Sequence, residues 1–168
     1  MPIHVTVLDA PAKVVLKSIG RRARDLSAFY RGPVDRSVTK WLKDRFASEG
    51  RSGGPTWAPL RPLTSFLRSR PGHGRAGSSK VGQDVRRMWA SFTKSGGPDS
   101  VRVIQPQFYE RGSDNPAAKY FHHGFKLFVF GRQTTRRVPG RPIIPDTIPD
   151  FLTKMWERDL VRHIEGKI

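Results

Sequence analysis

The residues best able to do chemistry, histidines and carboxylates, are not spaced for a shared site. His122 and His123 are adjacent, so they do not share a helix face, and no carboxylate or third imidazole lies nearby at the spacing of a metal site. The acidic residues of this region are dispersed along the chain: Asp84, Asp99, Glu110 and Asp114. The sequence therefore predicts neither a metal site nor a mechanism that uses paired carboxylates.

Motifs for a nucleophile or a cofactor do not occur in the sequence either. The serines lack a nucleophile elbow, and there is no GxxxxGK(S/T) phosphate loop. Gly72, His73 and Gly74 do not form a dinucleotide fingerprint, because no predicted strand precedes them. The chain has no cysteine, which excludes disulfides, thiolate metal sites and thiol catalysis. We therefore expect no catalytic residue, no cofactor and no enzymatic activity.

Positive charge is the dominant feature of the composition. Lys and Arg total 31 against 14 Asp and Glu, a formal net charge of +17. This balance favours a polyanionic neighbour, although a solvated surface in an arginine-rich protein would also produce it. Two glycine-containing segments carry several of the cations: Arg68, Arg70, Arg75 and Lys80 in the first, and Arg132, Arg136 and Arg137 in the second.

These basic segments have two interpretations. They are either solvated loops, or loops that face DNA or an acidic neighbouring subunit. Aromatic residues are not interleaved with the cations, and no helix-turn-helix or zinc-finger pattern occurs. Any contact with nucleic acid should therefore be electrostatic and independent of sequence.

The elements that must position these residues indicate an α+β fold in a single domain over residues 1–168. N-terminal helices come first, then a small, mostly antiparallel sheet in the second half, then a C-terminal helix, with long basic loops between them. Residues 1–10 are predicted to form an N-terminal strand or arm, and residues 70–83 a flexible basic loop. No window approaches the roughly 18 apolar residues of a membrane span, and the N-terminus lacks the pattern of a signal peptide.

Apolar periodicity gives the phase of each predicted helix. A first helix, opened by Pro11 and stopped by Gly32 and Pro33, would bury Val15, Ile19, Leu26 and Phe29. A second helix would bury Val34, Val38, Trp41, Leu42 and Phe46 before Gly50 ends it. The pattern also favours a short helix at residues 63–68, and another from Asp84 to Lys94 would bury Val85, Met88, Trp89 and Phe92.

The second half begins with a predicted strand at residues 101–105, which Phe108 and Tyr109 would extend past Pro106. A helix from Pro116 to His123, a strand at residues 126–130 and a basic hairpin or loop at residues 131–140 come next. The last helix, from Pro149, would turn Phe151, Leu152, Met155, Leu160 and Ile164 inward. Six residues on these stripes are predicted to be mostly buried: Trp41, Phe46, Trp89, Phe92, Phe151 and Met155.

Arg141 stands in an unusually rigid frame. Pro139 and Pro142 fix their own φ angles and restrict the residues before them. Such a frame suits an arginine that holds one partner, either a carboxylate or a row of carbonyls. We therefore predict that Arg141 is an assembly contact; the alternative is a plain extended linker before the last helix.

Three segments, taken in order, resemble the phage virion morphogenesis proteins, the tail-completion family of Mu-like and related phages. Residues 46–64, FASEGRSGGPTWAPLRPLT, have the Gly/Pro break followed by Trp-x-Pro-Leu and a threonine. Residues 117–124, AAKYFHHG, are similar to the family's stretch of tyrosine and histidine ending in glycine. Residues 138–144, VPGRPII, are similar to its Val-Pro-x-Arg-Pro before the last helix. The resemblance covers most of the chain from about residue 34 onward.

This resemblance implies a structural virion protein, assembled in the host cytoplasm, that acts in tail completion and head–tail joining. It would form a homo-oligomeric ring, of six copies by analogy, at the neck or the head-proximal end of the tail. Its partners would be the head connector or portal side, the tail terminator or tail tube, and phage DNA held non-specifically in the lumen, with no membrane. The alternatives are a tail terminator or other connector ring, and, in a different class, a sequence-nonspecific DNA-binding protein.

Overall fold

The computed structural model describes residues 10–62, 65–66, 86–94, 96–129 and 132–168, and it has the expected α+β fold. The helical elements are α1 (Ala10–Arg24), α2 (Ser27–Phe29), a π-helical turn (Tyr30–Val34), α3 (Asp35–Ala47), α4 (Arg86–Thr93), α5 (Pro116–His123) and α6 (Asp150–Glu165). The strands are β1 (Ser100–Gln105), β2 (Phe108–Ser113), β3 (Gly124–Val129) and β4 (Arg132–Pro139).

Gly32 and Pro33 do not stop the helix, so that prediction is wrong. Helical structure continues from α2 through the π-helical turn, which contains Pro33, into α3. Proline removes one N–H donor and clashes with the carbonyl one α-turn before it, and the wider π turn relieves both problems. The break lies earlier, where the Asp25 carboxylate accepts the Ser27 N–H at 2.9 Å and a new helix begins.

The core is built around α3, and its predicted stripe is confirmed. Five residues of the stripe are at most 8% exposed: Val34, Val38, Trp41, Leu42 and Phe46. Met88 and Phe92 of α4 are buried against this cluster, and Trp89 is half-buried beside it. The predicted helix start at Asp84 and Val85 lies outside the described residues, as does most of the predicted helix at residues 63–68.

The predicted phases of α1 and α6 are wrong at one residue each. Val15 is 55% exposed, whereas Phe29 is buried as expected and Ile19 and Leu26 are half-buried. In α6, Phe151 is 53% exposed, whereas Leu152 is 1% exposed.

The orientation of α6 is set by its contact with α3. The Trp156 indole N–H donates to the Ser37 hydroxyl at 2.8 Å, and Leu152, Met155, Trp156 and Leu160 pack on the core. Because Phe151 precedes Leu152 by about 100° around the helix, it faces away from that contact.

The strands form two separate antiparallel hairpins, and the described residues do not join them into one sheet. The prediction that Phe108 and Tyr109 extend β1 is wrong. The chain reverses at Pro106 and Gln107, and these two residues begin β2. Proline cannot donate to a strand ladder, so the turn is a natural place for it. The segment at residues 131–140 was predicted to be a hairpin or loop of its own, and that prediction is wrong: its residues 132–139 form one strand, β4, which pairs with β3 to make the second hairpin.

Candidate functional site

The second hairpin, β3 and β4 together (residues 124–139), is called the basic hairpin here. It contains four cations and no acidic residue. Lys126, Arg132, Arg136 and Arg137 are all exposed, and among the described residues none of them forms an ion pair. Lys126 lies directly opposite Arg137 in the register. Because like charges that face each other across two strands destabilise a hairpin, this surface would be stabilised by an anion from outside.

The first hairpin carries a similar pair, but a carboxylate of the same chain offsets part of its charge. Arg102 lies directly opposite Arg111, and the buried Asp35 carboxylate sits between them. An Arg102 amine lies 3.0 Å from one Asp35 oxygen, and Arg111 approaches the other at 4.0 Å. The Tyr109 hydroxyl donates to the same carboxylate at 2.9 Å. Burial raises the pKa of Tyr109 well above its usual value, and its hydrogen bond to Asp35 raises it further.

Two glycines close the base of the basic hairpin. Gly124, at φ 75°, ends α5, and a side chain there would collide with the Val138 carbonyl. Gly140 follows β4, and a Cβ atom there would lie 2.6 Å from the His122 carbonyl oxygen. The end of α5 and the end of β4 therefore approach more closely than any other residue type allows. The Arg141 N–H donates to the Phe121 carbonyl at 2.8 Å and completes the closure.

Arg141 itself turns inward and holds a pair of carbonyls. Its side chain donates to the carbonyl oxygens of Ala58 at 2.7 Å and Pro59 at 3.1 Å, and it is 8% exposed. The guanidinium carbon lies 5.8 Å from the centre of the Phe121 ring. Carbonyls were one of the two kinds of partner expected for this rigid frame, and here they belong to the same chain. A contact of Arg141 with another subunit stays a prediction.

Arg45, which the apolar pattern of the sequence did not single out, holds the same region from the other side. It has no exposed surface, and it donates to four carbonyl oxygens: Gly50 at 2.9 Å, Ser52 at 3.1 Å, Pro142 at 2.7 Å and Ile143 at 2.9 Å. Among the described residues no carboxylate forms an ion pair with it. Burial lowers its pKa. A signal existed in the sequence: Arg45 follows Trp41 by four residues, so it lies on the buried face of α3.

Trp57 joins the three segments that carry the family resemblance. Its indole N–H donates to the Pro142 carbonyl at 2.8 Å. Its ring meets Phe46 and Phe121 edge to face, with ring centres 5.2 and 5.1 Å apart. We call this meeting point, formed by Arg45, Arg141 and Trp57 with the carbonyls they hold, the arginine junction. It fixes the segment that leads out of the basic hairpin.

The remaining predicted site residues fall into two groups. Arg68, Arg70, Arg75 and Lys80, with the whole of the predicted loop at residues 70–83, lie outside the described residues. His122 and His123 lie beside an open groove of about 450 Å³ at the hairpin base, which Lys119 and Ile143 also line. Within the described ranges, no three His, Cys, Asp or Glu side chains are placed to hold a metal ion. None of the described helices is long and apolar enough to cross a membrane.

Comparisons with known proteins do not assign the chain. A scan against protein-family models gave no match, and neither did searches of curated proteins and of solved structures. The resemblance carried by the three segments therefore stays an expectation. A function has to be argued from the geometry of the arginine junction and the basic hairpin.

Replacing Arg45 tests the arginine junction. We expect Arg45→Ala to lower the free energy of unfolding by about 3 kcal/mol or more, because four buried carbonyls lose a charged donor. Arg45→Lys should recover only part of this, since one ammonium group cannot reproduce the planar fork of a guanidinium. Urea unfolding measures these free energies. In the control Arg51→Ala, at an exposed site, the free energy of unfolding should change by no more than about 0.5 kcal/mol. Equal stabilities of the Arg45 and Arg51 variants would show that the junction contributes nothing.

The histidine at the hairpin base should make stability depend on pH. His122 Nδ1 accepts the Ile143 N–H at 3.3 Å, so the neutral ring is the one that fits. Burial lowers the pKa of His122, and His123 and Arg45 lower it further, against the opposing effect of Asp146. The unfolded chain, with a histidine pKa near 6.5, therefore takes up this proton first, and stability falls as the pH falls below that value.

The measurement is thermal or urea unfolding between about pH 7.5 and 5.5, a window in which ordinary carboxyl groups stay ionised. His122→Asn keeps an acceptor for the Ile143 N–H and removes the titration, so its stability should vary less with pH than that of the wild type. His123→Asn, at an exposed neighbour, should retain most of the wild-type dependence and lose only the part that His123 contributes to the lowered pKa of His122. A His122→Asn profile identical to that of the wild type would contradict the assignment.

Proposed function

We propose that the chain is a non-enzymatic structural protein of a tailed bacteriophage, a ring-forming subunit at the neck or head-proximal end of the tail. It would act in tail completion and head–tail joining, as part of a virion assembled in the host cytoplasm. The observation that carries the proposal is the arginine junction. The three segments that resemble the tail-completion family lie up to about a hundred residues apart in sequence and meet there through Trp57, Phe121 and Pro142. The three segments, although separate in sequence, therefore contribute to one structural feature.

The purpose we assign to the junction is to hold the basic hairpin in one orientation. The cations of the basic hairpin are exposed, and the hairpin contains no acidic residue that could pair with them. In a ring of several copies, such hairpins would add to a positive field around a central channel. That field would attract phosphates without reading bases, as the passage of a genome requires. Head connector, portal-side and tail-tube or terminator proteins would be the neighbours above and below.

The same hairpin supports a second candidate from a different class. Two-stranded ribbons rich in cations can lie in a groove of duplex DNA, so the chain could instead be a sequence-nonspecific DNA-binding protein. The two candidates differ in whether binding depends on assembly. A ring subunit presents few cations alone and many together, whereas a dedicated binder holds DNA as a monomer or dimer. A tail terminator or another connector ring would behave as the first candidate does.

Assembly and DNA binding should therefore be measured on the same protein. Native mass spectrometry and electron microscopy should find a closed ring, six copies by analogy with the family. The unassembled chain should bind random duplex with a dissociation constant of about 10⁻⁴ to 10⁻⁶ M at physiological salt, and the ring should bind more tightly with a steeper salt dependence. Monomer binding near 10⁻⁸ M with sequence preference, or a chain that stays monomeric at every concentration, would contradict the ring proposal.

A matched pair of variants separates the hairpin from general charge. Lys126, Arg132, Arg136 and Arg137 are all replaced by Gln in one variant. Four exposed cations elsewhere are replaced by Gln in the control: Lys40, Lys43, Arg51 and Lys154. Both lose the same charge. The hairpin variant should lose most of the salt-dependent DNA binding, and the control should keep most of it. Equal losses would mean that the hairpin is not the DNA-facing surface.

A further inference from the structure

The first half of α1 is not buried against the described part of the chain. Residues 13–17 are all exposed. Successive residues of a helix are about 100° apart, so five exposed residues in a row mean that no side of this half is buried among the described residues. The second half is fastened: Arg22 donates to the Ile164 carbonyl of α6 at 3.1 Å, and the Gln107 amide donates to the Arg24 carbonyl at 2.6 Å. The fastened half holds the first half in a defined direction.

The first half is poorly suited to stand in water alone. Val14, Val15 and Leu16 are 68%, 55% and 67% exposed. Two of them are β-branched, which weakens a helix that no packing supports. Lys13 lies near the N-terminus of the helix, where the helix dipole disfavours a positive charge. Short helices owe most of their stability to a packed apolar face, so this half gains order if another surface covers it.

Charge identifies that surface. The fifteen residues of α1 contain five cations and no acid: Lys13, Lys17, Arg21, Arg22 and Arg24. A second α1 would bring five more cations and no acid to the contact, which disfavours the pairing of two α1 helices. Duplex DNA would match the cations, but it would not cover the three exposed apolar side chains. A bilayer surface binds a helix in proportion to the apolar area that it buries, and three apolar side chains within one turn offer little such area.

We propose that residues 13–17 of α1 insert into an acidic, apolar-lined groove on a different protein. The groove would surround Val14, Val15 and Leu16. Its acidic rim would pair with Lys13 and Lys17, which lie one turn apart on the opposite face of the helix. This is the helix-in-groove mode of recognition, in which apolar anchors provide affinity and charges provide orientation. The inference does not depend on a role in a virion, since it rests on α1 alone.

Calcium-loaded calmodulin provides the probe, because it is acidic and takes amphipathic helices into an apolar groove. We expect saturable one-to-one binding by the wild type, measured by calorimetry. Val14→Ser with Leu16→Ser should weaken it by about tenfold or more, given the apolar area removed. Ile148→Ser with Val161→Ser removes two apolar side chains elsewhere, each 55% exposed, and should change the affinity by no more than about twofold. Lys13→Gln with Lys17→Gln should weaken binding and flatten its dependence on salt.

Two further probes test the other occupants. Random duplex DNA, and vesicles of phosphatidylcholine and phosphatidylglycerol in equal parts, should bind the wild type and the Val14/Leu16 serine variant alike. The proposal is overturned if calmodulin does not bind, or if the serine variant binds it as well as the wild type does. It is also overturned if vesicle binding falls as much as calmodulin binding. A drop in melting temperature of the serine variant well beyond that of the Ile148/Val161 control would overturn it too, because those side chains would then pack within their own chain.

Discussion

A fully buried guanidinium is the constraint on which the rest of this structure depends. Arg45 has no exposed surface, and its donors are satisfied by four carbonyl oxygens. Carbonyl dipoles can offset the loss of hydration only if they converge on the cation, so the segments at residues 50–52 and 142–143 must both reach it. Two more side chains hold carbonyls of the same segments. Trp57 donates to the Pro142 carbonyl, and Arg141 donates to the carbonyls of Ala58 and Pro59. Side-chain hydrogen bonds thereby fix segments of the chain that have no regular secondary structure.

The two hairpins place facing cations in two different electrostatic environments. Arg102 and Arg111 face each other across the first hairpin, and the buried Asp35 makes the pair a link to α3. Lys126 and Arg137 face each other across the second, which has no acid in its sequence. The first set of cations is thus paired within the fold, whereas the second is exposed and forms no ion pair among the described residues. Net charge alone does not distinguish these two uses.

Much of the fold is determined by local pattern, whereas the errors arise where tertiary contacts decide. The stripe of α3, the asparagine that precedes Pro116 and the glycine that ends α5 are local signals, and the structure has both of these helices. Phe151 and Leu152 are both apolar, and the contact of Trp156 with Ser37 determines which of them is buried. Pro33 is a helix breaker by type, yet a π turn accommodates it. Arg45 escaped notice because apolar periodicity counts only apolar residues, although its position on the buried face of α3 was available. Three cations of the basic hairpin, Arg132, Arg136 and Arg137, were predicted as a group. The strand register was needed to add Lys126, which lies opposite Arg137.

The central claim is that the arginine junction holds the basic hairpin in one orientation, and a distance measurement tests it most directly. The chain has no native cysteine, so Lys43→Cys in α3 and Arg136→Cys in β4, both exposed, can carry a pair of spin labels. Double electron–electron resonance should give one narrow distance distribution in the otherwise wild-type protein. Arg141→Lys keeps the charge but cannot hold both carbonyls, so it should broaden that distribution while circular dichroism still reports a folded chain. An equally narrow distribution, at the same distance, in the Arg141→Lys background would contradict the account.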